Sequence, residues 1–147
     1  MAAWITPLQA LAPARVPGRV QDPAPPSYLR RREDWGLDLT LEVRLNGEVV
    51  SRPPYRGMYW TPDQMLAQMT VTGASLRPGD LYASGTVSGD EPGERGSLIE
   101  ITWNGADPLK LQDGTTRTFL EDTDEVTITA TTPTALQLAE VTGAITD

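Results

Sequence analysis

The stretch Leu37-Asp38-Leu39-Thr40-Leu41-Glu42-Val43-Arg44-Leu45 is apolar at every odd position and polar at every even one. Side chains alternate between the two faces of a strand, so a period of two describes a half-buried antiparallel strand and does not fit a helix, whose faces repeat every ~3.6 residues. Asn46-Gly47 comes next, the pair best able to take the left-handed conformations of a two-residue turn, and Glu48-Val49-Val50 starts the return strand. This hairpin commits the chain to β structure.

One helix is predicted, over residues 61–69. Thr61-Pro62-Asp63-Gln64 offers a capping hydroxyl, a proline at the first helical position, an acid in the first turn and a glutamine able to reach back to the cap. Met65, Leu66 and Met69 then form a narrow apolar stripe. The rest reads as strands and turns: a turn at Arg77-Pro78-Gly79-Asp80, strands at Leu81–Val87 and Ser97–Trp103, hairpin turns at Asn104-Gly105 and Asp113-Gly114, and strands at 125–130 and 136–145. Residues 1–34 differ, because Pro13, Pro17, Pro23, Pro25 and Pro26 disfavour both a helix and a central strand. They are expected to form an extended proline-rich arm, anchored by Trp4 and Ile5, on a single domain spanning 35–147. The predicted class is mainly β, a curled sheet or roll with one short helix.

The 147 residues include no histidine and no cysteine. That removes disulfides, thiolate nucleophiles, zinc ribbons, His-based triads and HExxH sites. Acid–base work would fall to carboxylates, tyrosines, the single Lys110 or water, and a metal held by the chain would need oxygen ligands. With 20 acidic residues against 12 basic ones, and with Arg30-Arg31-Arg32 followed at once by Glu33-Asp34, the chain does not read as a nucleic-acid binder. No apolar run approaches the ~18 residues of a membrane span and no secretory leader is visible, so a cytoplasmic location is expected.

Three places carry candidate chemistry. If Ile99, Ile101 and Trp103 line the core face of a strand, Glu100 lies on the opposite face; covered, it would have a raised pKa, and uncovered it would be an ordinary solvated carboxylate. Gly85-Thr86 places a glycine inside a predicted strand, either as a bulge or because a ligand approaches the Thr86 hydroxyl and N–H. Tyr55, Tyr59 and Trp60 precede the helix as core or as pocket wall. The acidic run Glu121-Asp122-Thr123-Asp124-Glu125 lacks EF-hand spacing and reads as a solvated turn.

These stretches are also where the chain resembles a known family. Met58-Tyr59-Trp60-Thr61, Leu76-Arg77-Pro78-Gly79-Asp80-Leu81, Ala83 through Gly89, Gly96-Ser97-Leu98-Ile99-Glu100-Ile101-Thr102-Trp103 and Thr116 through Val126 run in the order and spacing of the C-terminal half of the fumarylacetoacetase family. The opening Trp4-Ile5-Thr6-Pro7-Leu8, Gln21-Asp22-Pro23 and Tyr28-Leu29 are similar to it as well. The resemblance implies a β-roll that pairs as a homodimer and, in the full enzyme, hydrolysis of a carbon–carbon bond in a β-diketo acid. It implies Mg²⁺ or Ca²⁺ on an Asp and a Glu-x-Glu pair, a histidine that activates water, and an Arg- and Lys-bearing substrate clamp, all expected upstream of residue 1. Thr86 matches the family's substrate-binding threonine and Glu100 the glutamate that orients the histidine. Gln68-Met69 replaces a pair of histidines, and the segments 52–57 and 134–141 also depart from the family pattern.

With no metal ligands of this kind and no cofactor expected, the first reading is a metal-independent cyclase or isomerase. It would act on an apolar, enolisable, polyketide-like metabolite of secondary metabolism, with Glu100 catalytic and Thr86, Tyr59, Trp60, Tyr55 and Gln68 holding the substrate. The alternatives are one half of a split β-diketo-acid hydrolase and a non-catalytic binding or scaffold domain.

Overall fold

The computed structural model describes residues 2–146; the outer ends of the two expected spans, Met1 and Asp147, lie outside the described residues. The predicted hairpin is present. Strand β3 (Thr40–Leu45) turns at Asn46 and Gly47, both with positive φ (52° and 81°), into β4 (Glu48–Ser51). Both central residues are left-handed, as a turn matching the strands' own twist requires. Strand β7 (Glu125–Thr131) pairs antiparallel on the other side of β3, and β8 (Val141–Ala144) completes an open four-stranded sheet in the order β4-β3-β7-β8.

Register sorts this sheet into two chemically distinct faces. Val43 sits opposite Ile128 and Leu45 opposite Val126, while Arg44 faces Thr127 and Glu42 faces Thr129. Paired residues share a face, so one side is aliphatic and the other carries Glu42, Arg44 and a threonine row. On the polar side Glu42 bridges Arg44 and Arg52.

The N-terminal segment packs differently from the expectation. Trp4 and Ile5 are 65% and 86% exposed, and the anchoring residues are Leu11 and Ala14. Residues Leu8–Ala14 form a 3-10 helix, in which side chains three apart eclipse, so Leu11 and Ala14 point the same way; Pro13 is tolerated within it. The chain then pairs as β1 (Arg15–Val16) with β2 (Gly36–Leu37). Leu11, Leu37 and Leu39 form a buried cluster against which Trp35, Leu41, Tyr55, Leu136 and Leu138 pack.

Helix α1 (Pro62–Thr70) has the predicted capping box: the Gln64 side chain accepts from the Thr61 N–H at 3.1 Å. Its buried residue is Gln64, while Met65, Leu66 and Met69 are half-buried. Gln64 exchanges two amide hydrogen bonds with Gln21 (3.1 and 2.9 Å) and donates to the Leu29 carbonyl at 2.6 Å, tying the proline-rich segment to the helix. Asp113-Gly114 turns β5 (Leu109–Lys110) into β6 (Thr116–Arg117), as predicted.

Two predicted strands do not form and a third is shortened. Leu81–Val87 carries no strand, and residues 71–83 are exposed throughout. Residues 136–145 supply only the short β8. Ser97–Trp103 is a one-turn helix, α2 (Leu98–Ile101), followed by Trp103, Asn104 and Gly105 at φ 47°, 56° and 87°. Asn104-Gly105 is thus a turn after a helix and not a hairpin. The Ser97 and Glu100 side chains bond each other across this turn, and neither caps the helix backbone. Thr102, fully buried, fixes the turn by placing its hydroxyl, one donor, between the carbonyls of Leu98 (2.7 Å) and Thr118 (3.1 Å) and by accepting from the Gly105 N–H.

Candidate functional site

Gly96 is where two segments meet. A Cβ there would lie 1.9 Å from the Val87 carbonyl oxygen and 2.9 Å from the Thr86 methyl, so only glycine lets residues 86–88 run against residues 96–97. The close approach brings Ser88 beside α2. The Ser88 hydroxyl accepts from the Gly96 N–H at 3.0 Å and donates to Glu100 Oε2 at 2.8 Å, and Ser97 donates to the same oxygen at 2.9 Å.

Two hydroxyls, those of Ser88 and Ser97, therefore hold one carboxylate oxygen. Partial desolvation pushes the Glu100 pKa up, but these hydrogen bonds to its charged form outweigh it, and the net shift is downward. The raised-pKa possibility is overturned: Glu100 is an exposed, fixed anion, suited to accept a hydrogen bond and poorly suited to exchange protons near neutrality. Thr86 stands on the same side of Gly96 and is also exposed, its hydroxyl without a partner among the described residues. Ser88 and Gly96 were missed from the sequence. Nothing in the sequence marks Ser88, because the contact depends on tertiary proximity.

The remaining predicted residues lie elsewhere. Trp60 and Gln68 line a separate cleft of about 370 Å³ with Leu29, Met58, Met65 and Ser84. Tyr59 packs edge-on against Trp60, its ring centre 4.9 Å away, and Tyr28 donates to the Gln68 amide oxygen at 3.1 Å. Tyr55 packs on the leucine core, and burial, with the nearby Tyr82 charge, raises its pKa. Structure thus brings Thr86 against Gly96, next to the segment that carries Glu100, and Trp60 and Gln68 into one cleft, but leaves Tyr55 in the packing.

The acidic run is exposed, as a solvated turn is, at every position but Asp124. Asp124 is 1% exposed and takes a two-pronged contact from Arg117 (2.8 and 3.0 Å), with further donors from Asn46 and the Glu121 N–H. Among the described residues no group of three or more acidic side chains converges as a metal would need, so the divalent cation implied by the resemblance does not fit this chain's own residues. Among the described residues no helix is long and apolar enough to cross a membrane.

Residues 1–142 match the family model described as fumarylacetoacetate (FAA) hydrolase C-terminal, and the chain belongs to this family. Its relatives include the fumarylacetoacetases of Homo sapiens (46% identical over 132 residues, 86% of this chain and 32% of the relative), Arabidopsis thaliana (47% over 130 residues, 84% and 31%) and Caenorhabditis elegans (41% over 131 residues, 85% and 31%). The chain spans about a third of the length of these curated relatives.

Proposed function

We propose that this chain supplies the Glu100 and Thr86 portion of a fumarylacetoacetate-hydrolase-type site, completed by a polypeptide equivalent to the rest of its relatives' length. The observation that carries this reading is the open Glu100 cradle. It is built from two hydroxyls beside an obligatory glycine, and its carboxylate is exposed. Hydrolysis of a β-diketo acid adds hydroxyl to an acyl carbon and a proton to the departing carbon, and it needs a base to draw the proton from water. A glutamate kept anionic by donated hydrogen bonds does not serve as that base; it serves to hold and orient one, accepting an N–H from a group such as an imidazole on the completing polypeptide. Thr86 offers a free hydroxyl to a substrate oxygen next to it.

A metal-free cyclase or isomerase acting alone would need walls that exclude water and orient the substrate. Exposure of both Glu100 and Thr86 favours the composite site instead. The test is loss of the enol absorbance of fumarylacetoacetate. The chain alone is expected to give no turnover; the chain co-expressed with the part of human fumarylacetoacetase that precedes the matched segment is expected to give turnover, reduced roughly 10²–10⁴-fold by Glu100→Gln. Turnover by the isolated chain in the presence of EDTA would replace this reading with the metal-free one.

A further inference from the structure

The cleft of about 370 Å³ beside helix α1 shares no residue with the Glu100 cradle. Leu29 and Gln64 are its buried members, Met58 and Met65 are half-buried, and Trp60, 40% exposed, stands with Gln68 and Ser84 around them. No charged side chain lines it. A recess with apolar walls and a few placed polar groups is the usual form of a small-molecule site.

The polar groups left free decide what such a recess can take. The Gln64 amide is spent: its oxygen accepts from the Thr61 N–H and from Gln21, and its nitrogen donates to Gln21 and to the Leu29 carbonyl. Ser84 spends its proton on the Gly85 carbonyl at 3.0 Å. At Gln68 the amide oxygen accepts from the Tyr28 hydroxyl, while the amide nitrogen has no acceptor among the described residues. The buried part therefore offers apolar surface alone, and the exposed Gln68 adds one unused donor. The Trp60 ring is steadied edge-on by Tyr59, and the two thioethers adapt their shape to a flat guest. A charged guest would leave water without meeting a counter-charge, which is costly. We propose that this cleft binds a neutral, planar aromatic molecule carrying a carbonyl, its ring against Trp60 and the methionines and its carbonyl oxygen accepting from the Gln68 amide. The inference stands on the cleft and is independent of the function proposed above.

Titration of the full chain with acetophenone, followed by ¹H–¹⁵N NMR, tests this. Saturable shifts of the Trp60 indole N–H and the Gln68 side-chain amide are expected, and benzoate, which carries a charge, is expected to produce none. Trp60→Leu is expected to weaken binding about tenfold or more, whereas Thr129→Glu, on the polar face of the sheet, leaves it within about twofold. Met65→Glu repeats the test should Trp60→Leu fail to fold by circular dichroism. Toluene lacks the carbonyl and is expected to bind roughly three- to tenfold more weakly than acetophenone, a difference that Gln68→Leu abolishes. Absence of saturation, shifts confined to residues outside the cleft, undiminished binding by Trp60→Leu or Met65→Glu, or benzoate binding as tightly as acetophenone overturns the proposal. Discrimination against toluene that survives Gln68→Leu overturns it as well, since the carbonyl would then be read by another group.

Discussion

Asp124 shows how one buried carboxylate ties three segments together. It receives the Arg117 guanidinium, the Asn46 amide that also accepts from the Glu125 N–H at 2.9 Å, and the Glu121 N–H, so the β3–β4 turn is locked to the start of β7. The Arg117 contact, opposed by burial, holds its pKa far below the usual carboxylate range. A depressed folded-state pKa means stability that is present above the unfolded value and lost as pH falls toward the folded one. Asp124→Asn is therefore expected to cost about 1–3 kcal/mol at pH 7, because Arg117 loses its two-pronged carboxylate and keeps only Glu121 at 3.5 Å, and the gap to wild type is expected to close in strong acid. Urea denaturation across pH checks both. The run 121–125 looked solvated in sequence because its composition is that of a turn, and the burial of Asp124 depends on an arginine seven residues away and an asparagine 78 away.

At the scale of elements, three turn and cap signals decided correctly, while the strand pattern at Leu81–Val87 did not. Asn46-Gly47, Asp113-Gly114 and the Thr61 capping box fold as they read, because each is satisfied by its own neighbours. At Ser97–Trp103 the alternation did not yield a strand, since Ile99 and Trp103 have no sheet to face: they are 53% and 66% exposed. The Ser97 hydroxyl is spent on the Glu100 carboxylate and not on capping the backbone. Ser97→Ala is expected to change stability by about 0.5 kcal/mol or less and to move the Glu100 pKa upward, since one hydrogen bond to the charged form is lost. Thermal melts give the first number, and carboxyl ¹³C titration of Glu100 the second.

For the whole molecule, the N-terminal segment is a structural component whose anchors were misplaced by composition. Trp4 and Ile5 are its most apolar residues near the start, but the 3-10 geometry of Leu8–Ala14 delivers Leu11 to the core made by Leu37 and Leu39. Leu11→Ala is expected to destabilise by roughly 2–4 kcal/mol and Trp4→Ala by less than about 0.5, read by chemical denaturation. Sequence by itself determined the mainly β class, the central hairpin, the capped helix and the candidates Thr86 and Glu100, because period, turn chemistry and motif order are properties of neighbouring residues. Only the tertiary structure decided the ionisation of Glu100 and the separation of Tyr55, Trp60 and Gln68 from it. Those depend on which distant backbone can pass a glycine, and on where the folded chain sets each segment.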